Sequence, residues 1–224
     1  MTRPLHFHKN PIEELKRRYR VYRTHHGLYA SSLIPLILFA VSLVVNFFAT
    51  RYANIQASNY VEDIILSNTP VFDVDWFFVY GLLFLATFIT LLCLAHPKRI
   101  PFTLYALTLF ILIRAVFISL THLGPFPLQT DGDVNQYLAR FFFADDYFFS
   151  GHTGAPFLLA LIYWKHDYLR YFFIAASLFF GTIVLLGHLH YTIDVAAAFF
   201  ITYAIYKIAV WIFPKAKELF DSED

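Results

Sequence analysis

Charged residues and cysteine are both scarce in this chain, and their scarcity excludes several classes of protein. Asp, Glu, Lys and Arg make up 15% of the 224 residues, against about a quarter in soluble proteins. The net charge is +1, so the composition carries no electrostatic footprint of nucleic-acid binding. The single cysteine, Cys93, lies inside an apolar run, which excludes a disulfide framework and a paired-cysteine metal site.

Long hydrophobic runs take the place of the missing charge. Hydrophobic residues form 58% of the chain, and about 20 apolar residues suffice to cross a bilayer as a helix. The sequence therefore predicts an all-α integral membrane protein, a bundle of six transmembrane helices. The predicted spans are residues 28–49, 76–95, 101–122, 151–164, 169–187 and 191–213. We expect the first run to be a retained span, because no small-residue cleavage site follows it.

The charges of the loops predict the topology. Basic residues cluster in the N-terminal segment and in alternate connections, at Lys98, Arg99, Lys165, Arg170, Lys215 and Lys217. The intervening connections are mainly acidic and hold Glu62, Asp63, Asp73, Asp75, Asp131, Asp133, Asp145 and Asp146. Because cytoplasmic loops are enriched in Lys and Arg, both termini are expected in the cytoplasm.

The same pattern divides the chain into three segments. Residues 1–27 are basic and predict either an interfacial helix on an anionic leaflet or a solvated cytoplasmic tail. Residues 28–213 form the six-span membrane domain, and residues 214–224 form a short cytoplasmic tail.

Several polar side chains fall at a similar depth within the apolar runs. The residues that the topology places in the outer half of the membrane are Arg114, His152, His190 and Asp194. A charged residue in a span is costly unless it faces a partner or a wet cavity. We therefore predict one site on the extracytoplasmic side, built from these residues. For Arg114, we favour a phosphate clamp, since a guanidinium meets phosphate oxygens bidentately; a buried ion pair with Asp194 is the alternative.

The fourth run begins with Ser150, Gly151, His152 and Thr153. Ser150 or Thr153 could cap the helix, and Gly151 allows a ligand to approach the backbone closely. Backbone N–H groups at a helix start bind anions, so these residues predict a phosphate site with His152 beside it as a general acid. Asp146, six residues upstream, could orient or recharge that histidine.

The sixth run begins with a second histidine motif. His190 and Asp194 are four residues apart and would share a helix face. Asp194 could then hold one ring nitrogen and leave the other as a nucleophile, with Tyr191 supporting the turn. The alternative is a buried His–Asp pair that serves packing alone.

A metal site is the alternative to these roles. The candidate zinc ligands are His152, His188, His190 and Asp194. However, His188 and His190 lack the i, i+4 spacing that converges on a helix face, and Arg114 would repel a cation. We predict neither a metal nor another cofactor.

These motifs resemble those of the sphingomyelin synthases, and more broadly those of the type-2 phosphatidic acid phosphatases. Residues 144–153 are similar to the synthase motif Cys-Gly-Asp-x3-Ser-Gly-His-Thr, and residues 190–195 match His-Tyr-Thr-x-Asp-Val. Arg114-x6-Thr121 resembles the end of the family's third-span motif. The chain departs from the family at Ala144 and Asp145, which replace Cys and Gly, and it lacks the first-loop motif Pro-Pro-Leu-Pro-Asp.

The resemblance implies a double displacement on a phospholipid donor. His190, oriented by Asp194, attacks phosphorus while His152 protonates the departing glycerol oxygen. His152 then takes a proton from the acceptor, which is a ceramide-like lipid alcohol in a transferase and water in a phosphatase or phospholipase C-like hydrolase. Arg114 stabilises charge on the phosphoryl oxygens. A non-catalytic lipid transporter or scaffold is a third hypothesis, against which the intact histidines argue.

Overall fold

In the computed structural model, the described residues are 11–24, 27–129 and 147–222, and they contain helices and loops but no strand. The helices are α1 (Pro11–Thr24), α2 (Gly27–Gln56), α3 (Asp75–Ala95), α4 (Ile100–Leu120), α5 (Gly151–Ile162), α6 (Asp167–Leu186), α7 (Thr192–Ile212) and α8 (Pro214–Asp221). Short 3-10 turns lie at Leu66–Asn68 and Pro97–Arg99. The prediction of an all-α fold is confirmed over these residues.

Five segments are long and apolar enough to cross a membrane. They are Ser32–Gln56, Asp75–Ala95, Pro97–Leu120, Asp167–Leu186 and Thr192–Ile212. Together they suggest an integral membrane protein. The fourth predicted run instead forms α5, which has 12 residues and is therefore about 18 Å long. The six-span count, the orientation of the termini and the three segment boundaries stay predictions.

The short helix α5 is the most enclosed of the apolar helices. It packs against α6, α7 and α4. Leu158 and Ala160 in its C-terminal half and Tyr163 directly after it are fully buried. Gly154 allows this close packing, because a Cβ there would lie 2.8 Å from both the Phe110 ring and Oγ1 of Thr202. The start of α5 is thereby held against its neighbours.

The opposite end of the bundle is closed by α8. Phe220 is 1% exposed, and its ring packs edge-on against Tyr163 with centroids 5.2 Å apart. Asp221 accepts a hydrogen bond from Lys217 at 2.6 Å and pairs with Lys165 at 3.4 Å. Burial alone would raise the pKa of the Asp221 carboxyl, but the hydrogen bond and charge of Lys217 outweigh it and lower that pKa.

Helix α1 packs at this same end. Arg18 donates to the carbonyl oxygen of Ala95 at 3.1 Å, and the Tyr19 hydroxyl donates to that of Leu94 at 2.9 Å. Both acceptors lie in the last turn of α3, where carbonyl groups have no partner within the helix. Residues 11–24 are thus helical and attached to the bundle, and their predicted contact with a leaflet stays a prediction.

Truncation of Phe220 should destabilise the fold. Removing a buried phenyl ring typically costs about 3–5 kcal/mol, and we expect Phe220→Ala to lower the thermal midpoint of the detergent-solubilised protein clearly. The matched control is Phe200→Ala, because Phe200 is 79% exposed. Tryptophan fluorescence during heating measures both variants, and equal midpoints for them would contradict the anchoring of α8.

Candidate functional site

His190 and Asp194 form a buried pair at the start of α7. Nδ1 of His190 lies 3.3 Å from Oδ2 of Asp194, and the two residues are 4% and 0% exposed. The same carboxylate oxygen accepts the backbone N–H of Tyr191 at 3.0 Å. Because Nδ1 is engaged, Nε2 is the ring nitrogen left to act on a substrate.

The pair differs in one respect from the sequence prediction. Helix α7 begins at Thr192, so His190 precedes the helix rather than sharing one of its faces with Asp194. The carboxylate instead reaches back as part of the N-terminal capping box. The contact arises because a side chain at the third helical position can bond to the chain just before the helix.

His152 lies in the first turn of α5, close to this pair. Its ring stacks on Phe78 of α3, with centroids 3.9 Å apart and an interplanar angle of 24°. His152 is near enough to His190 and Arg114 to interact electrostatically with both. Its Nε2 is buried and has no hydrogen-bond partner in the described part of the chain. A buried polar atom in this condition calls for an explanation such as a bound ligand.

Arg114 approaches the start of α5 from α4. Its Nε donates to the carbonyl oxygen of Phe149 at 2.9 Å, and the residue is 7% exposed. A Cβ at position 151 would lie 3.2 Å from that Nε and 3.4 Å from Cζ, so glycine gives the guanidinium its room. Among the described residues, the carboxylate of Asp194 is paired with His190 and not with Arg114.

Ser150 and Thr153 shape the start of α5. The Ser150 hydroxyl accepts the Thr153 backbone N–H at 3.3 Å and the Thr153 hydroxyl at 3.1 Å, as predicted for a helix cap. The backbone N–H of Ser150 donates to the carbonyl oxygen of Asp194 at 3.2 Å, which joins the two helix starts directly. Phosphate binding by Ser150, Gly151 and Thr153 stays a prediction.

Two further residues that the sequence suggested for the site are Asp146 and His188. Asp146 lies outside the described residues. His188 adopts a φ of 55°, and its ring contacts the carbonyl oxygen of Leu128 at 3.0 Å and Oγ1 of Thr69 at 3.4 Å. It therefore braces two loops against each other. Within residues 11–24, 27–129 and 147–222, no group of three or more His, Cys, Asp or Glu side chains is placed to hold a metal ion.

Asp63 holds the start of α7, a contact that the amino-acid sequence does not indicate. This residue lies in the loop between α2 and α3, and its carboxylate accepts both the backbone N–H and the hydroxyl of Thr192, at 2.7 Å and 2.6 Å. Burial alone would raise the pKa of Asp63, but hydrogen bonds from Thr192 and the loop backbone outweigh it and lower that pKa. No sequence signal links residues 129 positions apart.

Tyr191 makes a second connection between the loops and α7. Its hydroxyl donates to the carbonyl oxygen of Gly124 at 2.8 Å and accepts the backbone N–H of Val61 at 3.4 Å. The ring packs edge-on against Tyr147, with centroids 5.6 Å apart. Tyr191 supports the turn that holds His190, by contacts that the sequence does not specify.

These groups together suit an anionic substrate and a reaction that involves proton transfer. Two helices begin at the site, and the positive ends of their dipoles favour negative charge. Arg114 adds a fixed positive charge with several N–H donors. One histidine is oriented by a carboxylate, and the other has a ring nitrogen without a partner among the described residues. Nucleophilic and acid–base catalysis at phosphorus requires groups of these two kinds.

Comparison with protein families supports this interpretation at a coarse level. Residues 145–211 match the family model described as PAP2 superfamily C-terminal. The match includes both histidines and Asp194, and it supports the type-2 phosphatidic acid phosphatase superfamily, whose members are typically lipid phosphatases or phosphotransferases. It does not distinguish the sphingomyelin synthases within that superfamily. Comparisons with curated proteins and with solved structures gave no match.

Adding a methyl group at Gly151 should weaken anion binding. In Gly151→Ala the new Cβ would displace the Arg114 guanidinium, and loss of one charge-assisted hydrogen bond corresponds to roughly ten-fold in affinity. Titration calorimetry with inorganic phosphate measures this. The control is Thr87→Ala, because Thr87 is exposed in α3 and its hydroxyl donates to the carbonyl oxygen of Leu83 rather than to a group of the site. An unchanged affinity in Gly151→Ala would contradict the assigned role of the guanidinium.

Proposed function

We propose that this protein is a membrane lipid phosphotransferase of the sphingomyelin-synthase type. It would move a phospho-head group from a glycerophospholipid to a lipid alcohol such as ceramide. The observation that supports the proposal best is the buried contact between Nδ1 of His190 and Asp194 at 3.3 Å, formed beside His152 and Arg114. The donor and acceptor identities come from the motif resemblance.

The first displacement transfers the phospho-head group to the enzyme. Nε2 of His190 attacks phosphorus, so a P–N bond forms as the P–O bond to glycerol breaks. Protonated His152 gives its proton to the departing oxygen, and diacylglycerol leaves. Asp194 stabilises the positive charge that the attacking imidazole gains, because its carboxylate accepts a hydrogen bond from Nδ1–H.

The second displacement regenerates both histidines. The acceptor hydroxyl gives its proton to His152, which is now neutral, and its oxygen attacks phosphorus. The P–N bond breaks, and its electron pair returns to Nε2 of His190. The products are the phosphorylated lipid alcohol and the starting enzyme, so no proton is gained or lost overall.

Arg114 and the helix starts would stabilise charge on the phosphoryl oxygens in both steps. The bond from Nε of Arg114 to the Phe149 carbonyl oxygen holds the guanidinium beside the start of α5. A donor held in place before the reaction costs little reorganisation during it. This preorganisation is what favours a phosphate clamp for Arg114.

The proposal includes a membrane topology. The loop charges support a topology with both termini in the cytoplasm, the site on the extracytoplasmic side and α5 as a short fourth span. Donor and acceptor lipids would then reach the site from the outer leaflet.

Hydrolysis is the second candidate function. The family-model match supports a superfamily named for a phosphatase, and water could replace the lipid alcohol in the second displacement. Everything up to the phosphohistidine would be unchanged, and the products would be diacylglycerol with phosphate or a phosphorylated head group.

Lipid mass spectrometry on purified protein in liposomes tests both candidates. The liposomes would contain phosphatidylcholine, phosphatidylethanolamine and phosphatidic acid, with or without ceramide. A ceramide-dependent product that disappears in His190→Ala is expected, whereas release that is indifferent to ceramide would favour the hydrolase. His166→Ala, at the opposite end of the bundle, is the control. Full turnover by folded His190→Ala would refute the mechanism, and no product from wild-type protein would favour a non-catalytic role.

The acid role of His152 predicts a dependence on the leaving group. His152→Ala should slow turnover of natural phospholipids by at least about 100-fold, since general acid catalysis contributes roughly 10²–10⁴-fold. p-Nitrophenolate leaves a p-nitrophenyl phosphodiester without needing a proton. The burst of p-nitrophenolate from this substrate should therefore largely survive in His152→Ala. An equal loss with both substrates would count against the acid role.

A further inference from the structure

The carboxylate of Asp63 connects the first inter-helix loop to the start of α7. One oxygen, Oδ1, accepts the backbone N–H groups of Ile65 and Leu66 at 2.9 Å and 3.1 Å. The other, Oδ2, accepts the backbone N–H of Thr192 at 2.7 Å. The Thr192 hydroxyl donates to Oδ1 at 2.6 Å. Asp63 therefore caps the start of a turn in its own loop and, with the same side chain, binds the start of α7.

The geometry of these bonds makes the connection strong. Asp63 is 9% exposed, and a hydrogen bond to a charged acceptor is stronger than one between neutral groups. The backbone N–H of Thr192 is one of the first N–H groups of α7, which have no acceptor within the helix. A negative charge at this position is also favoured by the helix dipole.

Thr192 is the residue through which the bonds of Asp63 can affect the chemistry. It lies two residues after His190 and two before Asp194, so it sits in the middle of the turn that sets their 3.3 Å contact. The same loop reaches this turn a second time, through the Val61 backbone N–H and the Tyr191 hydroxyl. Movement of Thr192 would change the direction in which the chain enters α7 and hence the position of the His190 ring.

We propose that Asp63 is a positioning residue for the proposed nucleophile His190, acting through Thr192. The inference rests on the proposed function and adds to it a residue from outside the segment that matches the family. Asp63 does not touch the reacting atoms. Its removal should therefore lower kcat while leaving KM nearly unchanged, because a misdirected imidazole slows attack without altering the binding of the phosphate.

The test uses substitutions that separate the bonds of Asp63 to its own loop from its bonds to Thr192. In Asp63→Asn, the carbonyl oxygen can keep the bonds to Ile65 and Leu66, while the amide NH₂ faces the N–H of Thr192 and cannot accept from it. Thr192→Val removes the hydroxyl bond alone, and Thr192→Ser retains it. Glu62→Gln is the matched control, since Glu62 is the adjacent acid in the same loop and is exposed.

The readout is the burst of p-nitrophenol from the activated phosphodiester, together with kcat and KM for the lipid donor in liposomes. A displaced catalytic group typically costs up to about 100-fold, so we expect Asp63→Asn to lower both kcat and burst rate by roughly ten- to 100-fold. This pattern differs from that of His152→Ala, which spares the burst. Thr192→Val should also lower kcat and the burst rate, whereas Thr192→Ser and Glu62→Gln should keep both near the wild-type values.

Each outcome decides the inference. A rise in KM with an unchanged burst rate would overturn it, because Asp63 would then serve the substrate-binding loop. Wild-type kinetics in Asp63→Asn would also overturn it, while leaving the phosphotransfer proposal intact as long as His190→Ala is inactive. If Asp63→Asn does not fold, the pair Thr192→Val and Thr192→Ser decides, and equal kinetics for that pair would overturn the inference.

Discussion

The carboxylate of Asp194 is the constraint on which the site depends. A fully buried carboxylate in an apolar bundle is costly unless hydrogen bonds and a partner compensate it. Oδ2 receives two such donors, from His190 and the Tyr191 backbone, whereas Oδ1 has none among the described residues. The fold thus accepts an incompletely satisfied carboxylate beside His190, the nucleophile of the proposed mechanism.

The two ends of the bundle are stabilised by different kinds of interaction. At the end opposite the site, buried aromatic rings around Phe220 and ion pairs of Asp221 close the structure. At the site, hydrogen bonds between loops and helix starts predominate, with Asp63, Tyr191 and His188 as their centres. Directional bonds fix the angle of a side chain as well as its distance, and orientation is what a nucleophile requires.

The sequence predicted the features that local physics controls. Apolar runs gave the long helices, because a span needs a fixed length of hydrophobic chain, and the spacing of His190 and Asp194 predicted their contact. The detail of that contact differed, since the capping box begins before the helix. The truncation of α5 to 12 residues and the bond from Asp63 to Thr192 depend on packing between distant segments, which periodicity does not contain.

The position of Asp63 shows why a site of this kind needs loops from outside the matching segment. Residues 145–211 supply both histidines and their carboxylate, but the backbone N–H of Thr192 has no acceptor within its own helix. The loop between α2 and α3 supplies a carboxylate that accepts this N–H and the Thr192 hydroxyl, and those bonds help to lower its pKa. The matching segment therefore holds both histidines and Asp194, while Arg114 and Asp63 come from the part of the chain before it.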